Sequence, residues 1–330
     1  MARLLIYGAT GYTGRLASEH ARHIGLDFLV AGRSESKTKE LATEIGVVSR
    51  VFGLESPEMI DEALSGCSVL LNCAGPFIRT AKPLIEACIR NKVHYLDMAA
   101  ELDSYHLSVD SDARAKEANV MLMPGCGGGI AMLSCLTCYV IEHVKKPQRI
   151  DIALHISGPM SRGSEMSAAE NITAACLELV KGDLVALEDP ATKTKQFDFD
   201  NGNGPVDSVP MTLPNLITLP RSTNVKDIRT FVHAEAALLP RDPKALPIGP
   251  TKEERDQHPY QVSVHIADTD GTVKKGVLHT ANGYTFTSQA SAEASRQVLE
   301  GQVAPGFQTP EVVFGYRFVE DVPGSILKLV

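Results

Sequence analysis

An apolar run, Leu4-Leu5-Ile6-Tyr7, leads directly into Gly8-Ala9-Thr10-Gly11-Tyr12-Thr13-Gly14, and a helix-compatible stretch from Arg15 to Ile24 follows. Strand, glycine turn and helix in that order commit the start of the chain to a βα unit that cradles an anion. Gly8 lets the chain leave the strand in a conformation a Cβ resists, Gly11 admits backbone amides to a pyrophosphate, and Gly14 brings the helix against the sheet. The helix N-terminus then faces the negative charge. Gly8 to Gly14, with Ala9, Thr10, Tyr12 and Thr13 between the glycines, is the expected cofactor loop of a dinucleotide site.

The second strand, Phe28 to Ala31, ends where an NAD-binding protein places a carboxylate for the ribose 2′-hydroxyl, and here the residues are Gly32-Arg33-Ser34. A guanidinium forks onto a 2′-phosphate, and Ser34, Lys37 and Lys39 add donors or positive charge nearby. The expected cofactor is therefore NADP(H), with Arg33 and Ser34 as ligands; the bland alternative is that Arg33 is a solvated loop residue.

Up to residue 125 the chain alternates strands (Arg3–Tyr7, Phe28–Ala31, Val47–Phe52, Val69–Cys73, His94–Asp97, Val120–Met123) with helical stretches, the last spanning Ser104–Asn119. Such alternation predicts an α/β fold, a Rossmann-type doubly wound parallel sheet whose ligands gather at the carboxyl ends of the strands. An apolar helix, Ile130–Val144, follows, and the character changes at Lys145-Lys146-Pro147. Beyond it Asp151–Ser157 alternates like a half-buried strand, Ser167–Val180 reads as helical, and Tyr260–Ala267 with Thr272–Thr280 reads as an antiparallel hairpin. Arg241–Gln257 reads as a mobile loop and Thr287–Leu299 as a helix. This is an α+β substrate domain.

The net charge of −8 offers no basic field to a nucleic acid, so a small-molecule partner is expected. The first residues already belong to a strand, leaving no room for a signal segment, and no apolar run is long enough to span a membrane. A cytoplasmic enzyme is the default. Seven cysteines lie mostly in apolar contexts, Cys135 and Cys138 among them, and read as core thiols. The histidines lack metal-ligand spacing, so no metal is expected.

Several separated blocks together resemble the saccharopine dehydrogenase-like oxidoreductases, including the trans-acting enoyl reductase group. They are the glycine loop, Ala31-Gly32-Arg33, Asn72-Cys73-Ala74-Gly75-Pro76-Phe77, His94 to Glu101, and the late Pro305 to Pro310 with Phe314-Gly315. The resemblance implies that the tail returns to the first lobe, giving a dinucleotide-binding domain over 1–145 and 282–330 and an inserted substrate and dimerisation domain over 146–281. It also implies that Asn72, Cys73, Ala74, Gly75, Pro76 and Phe77 run under the nicotinamide end of the cofactor, and that Asp97 to Glu101 borders the reaction site. Where many relatives carry two acidic residues and an aromatic after the sixth strand, this chain has Gly125-Cys126-Gly127-Gly128-Gly129. A less polar substrate than an amino acid follows, with Cys126, Gly127 and Gly128 as contacts; the alternative is a plain strand-to-helix turn. Ser164 is a further substrate contact or a helix cap.

No tyrosine is followed four residues later by lysine, which disfavours a short-chain carbonyl reductase. Reduction of a C=C (enoyl) or C=N (imine) bond suits a site without a strong proton donor. Asp97 and Glu101 are the candidate acid, base or cation-stabilising groups; otherwise Asp97 orders its loop and Glu101 caps the next helix. The expected protein is an NADPH-dependent reductase of a small, fairly apolar metabolite or carrier-bound intermediate, for which a homodimer is a reasonable assembly, and the alternative is a non-catalytic NADP(H)-binding sensor or scaffold.

Overall fold

The computed structural model describes residues 3–171, 175–235 and 247–330. Six strands come first: β1 (Leu4–Tyr7), β2 (Phe28–Gly32), β3 (Val48–Val51), β4 (Val69–Asn72), β5 (His94–Asp97) and β6 (Met121–Met123). Eight follow: β7 (Pro147–Ile156), β8 (Leu177–Val180), β9 (Asp183–Ala186), β10 (Lys195–Phe197), β11 (Val206–Pro210), β12 (Asp227–Ala234), β13 (Tyr260–Asp268) and β14 (Val273–Thr280). Two short ones, β15 (Gly306–Phe307) and β16 (Ile326–Leu329), close the chain. The longer helices are α1 (Tyr12–His23), α2 (Glu35–Ile45), α3 (Pro57–Leu64), α4 (Phe77–Asn91), α5 (Leu102–Asp110), α6 (Asp112–Glu117), α7 (Gly129–Ile141), α8 (Arg162–Asn171), α9 (Asn215–Thr223), α10 (Lys252–Gln257) and α11 (Gly283–Leu299).

The first sheet runs β15-β6-β5-β4-β1-β2-β3, all parallel, the order of a doubly wound dinucleotide fold with one strand added. Its central strands carry continuous apolar runs because helices cover both faces, and Leu4, Leu5 and Ile6 are fully buried. On one face Leu84, Ile85 and Cys88 of α4 and Ile60 and Leu64 of α3 share a cluster with Leu5, Leu29 and Leu70. Each such side chain contributes about 1.5–3 kcal/mol on burial. Register fixes the site: Tyr7 stands beside Asn72, and Asn72 beside Asp97. Three loops therefore leave the sheet from one level, where strand order reverses between β1 and β4.

The helix expected over Ser104–Asn119 is two helices, α5 and α6, broken at Ser111. Asp110, Ser111 and Asp112 are adjacent there, residues that favour helix ends over helix interiors.

The second sheet runs β10-β11-β12-β7-β13-β14-β16, with β8 on β12 and β9 on β8. β7 and β12 are parallel and the remaining pairs antiparallel. The hairpin expected near 260–280 is β13–β14. β7, expected as half-buried, is buried on both faces over Ile150–His155, because Phe197 and Phe199 cover Ala153 and Phe231 on the face bearing Asp151. The helix expected over Ser167–Val180 lies earlier, as α8, and Leu177–Val180 is a strand. Of the loop expected over Arg241–Gln257, residues 241–246 lie outside the described residues. Its last part is α10, which Thr251 and Glu254 start with a reciprocal capping box.

The chain divides into one compact unit of Met1–Gly128 with Thr287–Phe314, and a second of Gly129–Phe286 with Gly315–Val330. Against the expected limits of 145 and 282, α7 belongs to the second unit because it lies on β13, β14 and β7. The last residues belong there as well, since β16 pairs with β14 from Gly276↔Leu329 to His279↔Ile326. Only β15, beside β6, returns the tail to the first sheet. No helix among the described residues is long and apolar enough to cross a membrane, and they contain no group of three or more His, Cys, Asp or Glu suited to a metal ion.

Candidate functional site

The glycine loop is tied to the neighbouring strand by Gly8 N and Ala9 N, which both donate to Ala31 O, at 2.9 and 3.2 Å. Gly8 has φ +76°, and a Cβ there would sit 2.7 Å from the backbone nitrogen of Ala74. A Cβ on Gly14 would run into the carbonyl oxygen of Gly8. The cradle is thus closed to side chains and lined by main chain. Gly11 is the N-cap of α1, no carboxylate occupies the first turn, and the amides of Tyr12 and Thr13 head the helix. Geometry and charge fit a pyrophosphate.

At the end of β2, Arg33 is exposed and makes no ion pair or side-chain hydrogen bond among the described residues. Ser34 is the N-cap of α2 without using its side chain, which leaves the hydroxyl available. Lys39, by contrast, is paired with Glu35 at 2.6 Å. The residues at this edge fit a phosphorylated ribose.

Asn72 lies at the carboxyl end of β4, fully buried. Its Oδ1 accepts from Ala74 N at 3.0 Å, while Nδ2 donates to Thr80 Oγ1 and to Tyr95 Oη, both at 3.1 Å. Thr80 in turn donates to Ala74 O at 2.6 Å, so the loop from Asn72 to Phe77, with its cis Gly75–Pro76 bond, is held from inside. Burial pushes the thiol of Cys73 well above its ordinary value, aided by Cys126 and Asp97, which makes it a poor nucleophile.

Asp97 is fully buried, and each carboxylate oxygen has two donors. Oδ1 accepts from Ala99 N at 2.9 Å and Gly125 N at 2.7 Å; Oδ2 accepts from Tyr95 Oη at 2.8 Å and Ser104 Oγ at 2.7 Å. Burial raises its pKa, and all four donors pull the other way. The loop-ordering alternative describes this geometry: a saturated carboxylate holds the loops after β5 and β6 and, through Tyr95, the loop after β4. Glu101 is the N-cap of α5, 8% exposed, with Oε2 accepting from Ala100 N at 3.1 Å. That places it at the rim of the same loop.

The glycine run after β6 departs from its expected role. Cys126, Gly127 and Gly128 are buried. A Cβ on Gly127 would lie 2.8 Å from Thr287 O and 2.9 Å from Ser291 N, and one on Gly128 would lie 2.9 Å from Thr287 Oγ1. Gly127 is required because the backbone of α11 lies against it, and Gly128 because its φ is +101° and the Thr287 side chain lies against it, so both glycines have a packing reason. Burial pushes the Cys126 thiol far up as well. Ser164 belongs to the second unit, where its hydroxyl accepts from Tyr284 Oη at 2.9 Å and from Ser161 Oγ at 3.1 Å. The cap of α8 is Ser161, whose Oγ accepts from Ser164 N at 3.2 Å.

Tyr95, Ser104 and the α11 residues Thr287 and Ser291 are the participants that the sequence reading missed. Only Tyr95 carried a signal: two residues before Asp97 on a parallel strand, it points to the same side of the sheet.

Residues 4–123 match the family model described as the saccharopine dehydrogenase NADP binding domain. Among curated proteins, the chain is 29% identical over 119 residues to a saccharopine dehydrogenase-like oxidoreductase of Homo sapiens, covering 30% of this chain and 27% of that protein. It is 26% identical over 132 residues to a trans-acting enoyl reductase of Mycobacterium ulcerans, covering 38% of this chain and 32% of that one. The matched part is thus less than a third of either relative. Among solved structures, apo saccharopine dehydrogenase (L-Glu forming) from Saccharomyces cerevisiae aligns with 100% of this chain and 99% of its own, with a TM-score of 0.68 at 12% identity. A homospermidine synthase from Legionella pneumophila in complex with NAD aligns with 100% of this chain and 91% of its own, with a TM-score of 0.70 at 12% identity. These two likenesses establish the fold.

Proposed function

We propose that the chain is an NADPH-dependent reductase acting on a C=C or C=N bond, a reading supported by the match of residues 4–123 to the saccharopine dehydrogenase NADP binding domain. Its substrate is a small, fairly apolar metabolite or a carrier-bound intermediate. The observation that carries this reading is the pairing of a main-chain anion cradle at Gly8–Gly14 with an uncommitted guanidinium at Arg33. The enoyl reductase named among the relatives supports the alkene branch.

The bound cofactor supplies a hydride and leaves a positively charged nicotinamide ring. The chain's own residues bind and orient. Amides at the head of α1 hold the pyrophosphate, Arg33 and Ser34 hold the 2′-phosphate, and the loop from Asn72 to Phe77, braced by Thr80 and Tyr95, supports the nicotinamide end. Cys73 and Cys126, both held as thiols by burial, do not act as nucleophiles. Glu101, which ends the Asp97 loop as the N-cap of the following helix, is our candidate for handling a proton.

An NADPH-oxidation screen over imines and enoyl thioesters tests the activity. Turnover that falls in Glu101→Gln without loss of NADPH affinity supports the assigned roles. Binding of NADPH with no turnover over the whole screen favours a sensor. Arg33→Ser is expected to weaken NADPH roughly ten- to a hundredfold, the loss of contacts of about 1.5–3 kcal/mol, while sparing NADH. Equal losses for both cofactors would remove Arg33 from the site.

A further inference from the structure

The four groups on Asp97 are all donors: two backbone amides and two hydroxyls. A protonated carboxyl has its own hydrogen to place, and one of the two hydroxyls would have to turn from donor to acceptor to receive it. With two obligate amide donors on Oδ1 and both hydroxyls turned towards Oδ2, the arrangement matches the ionised form. No ion pair to Asp97 exists among the described residues, so this is a buried anion solvated by neutral dipoles. Neutral dipoles stabilise a charge without cancelling it, and in a low-dielectric interior its field extends outwards. Burial is the larger cause of the raised thiols of Cys73, after β4, and Cys126, after β6, but the charge of Asp97 adds to both.

We propose that Asp97 acts on the cofactor through its charge: held among the three loops at the carboxyl ends of β4, β5 and β6, it favours bound NADP+ over bound NADPH. The proposal rests on the cofactor reading above. The two forms of the cofactor share their phosphates, ribose and adenine and differ by a positive charge on the nicotinamide. A fixed anion near that end stabilises the oxidised form selectively, and a ligand equilibrium shifts only by such a difference in affinity. Preference for the oxidised form makes the bound reduced form the stronger hydride donor. Asp97 is thus a positioning residue whose electrostatic effect is separable from its hold on the loops.

The test compares dissociation constants of NADP+ and NADPH for the full chain and for Asp97→Asn. The amide can still accept from Ala99 N and Gly125 N, and the hydroxyls of Tyr95 and Ser104 can turn to accept from it, so the scaffold is retained while the charge is lost. The ratio of the NADP+ constant to the NADPH constant should rise about tenfold, the scale of one charge acting over about 12 Å at an effective dielectric of about 20. A purely structural role moves both constants together, and an unchanged ratio would overturn the proposal. Failure of the unsubstituted chain to bind either form would instead overturn the cofactor reading on which it stands. Should Asp97→Asn not fold, the double variant Tyr95→Phe with Ser104→Ala keeps the carboxylate but strips two donors and so raises its pKa. As the pH is lowered, its ratio should begin to climb at a higher pH than that of the unsubstituted chain. The 2′-phosphate titrates alike in both forms and cancels from the ratio. The same pH dependence in the two proteins would overturn the proposal.

Discussion

Asp97 in the first unit and Asp151 in the second are almost equally shut off from water, at 0% and 2% exposed, yet they are held by opposite means. Neutral donors alone surround Asp97. Asp151 receives a bidentate guanidinium from Arg229, at 2.7 and 2.9 Å, together with the ammonium of Lys195 and, at 3.5 Å, Arg149. Burial raises both carboxyls; at Asp97 it prevails, whereas at Asp151 Arg229 and Lys195 outweigh it and the pKa falls below the ordinary range. Cations quench a buried charge and tie strands together. Dipoles keep the charge and leave its field available to a ligand.

The largest effect should come from removing the quenched partner. Asp151→Ala leaves Arg229 and Lys195 without their acceptor, and breaking a buried pair costs about 3–5 kcal/mol. The low end applies, since the two cations retain 37% and 27% of their side-chain exposure. Urea unfolding measures it; a loss below about 1 kcal/mol would mean that the cluster is decoration.

His265 sharpens the same point. It stands opposite Asp151 in register, yet burial first, and Lys195 and Lys275 after it, lower its pKa to about 4. The native ring therefore stays neutral while the unfolded ring charges near pH 6.5. The unfolded state binds more protons between these values, so stability falls as the pH drops from about 6.5 to about 4, by an amount on the order of 2–3 kcal/mol. His265→Gln should flatten that slope. An unchanged slope would show that Asp151 governs its neighbour after all.

The contrast also marks what a sequence discloses. The cradle at Gly8–Gly14 and the six strands around it were legible because strand, turn and helix are local, and parallel strands buried on both faces read as apolar runs. The position of Arg33 was legible because it depends only on where β2 ends. The packing reason for Gly127 and Gly128 was not legible because these glycines answer to Thr287 and Ser291, more than 150 residues away. Asp151 was passed over for the same reason: its partner Arg229 is 78 residues distant and becomes a neighbour only through the parallel pairing of β7 and β12. The Asp97 loop stood between, since the carboxylate was visible but its four donors were not.

The smallest effect tests whether Asp97 is ionised at all. Tyr95→Phe removes a fully buried hydroxyl that donates to Asp97 and accepts from Asn72. Ser104 and two amides remain, so the cost should be about 1.5 kcal/mol, the low end for a hydrogen bond to a charged group. Its pH dependence carries the argument. Asp97 has a raised native pKa, so the native state binds a proton more readily than the unfolded chain, and its contribution to stability declines as the pH climbs from about 3.9 through the native value, then levels. Losing the Tyr95 donor raises the native value further. The deficit of Tyr95→Phe should therefore be full at neutral pH and shrink in acid, as the carboxyl protonates in both proteins and the hydrogen bond to a charge becomes one to a neutral group. An equal deficit at pH 7 and in acid would mean that no charge sits there, and the distinction between the two aspartates would collapse.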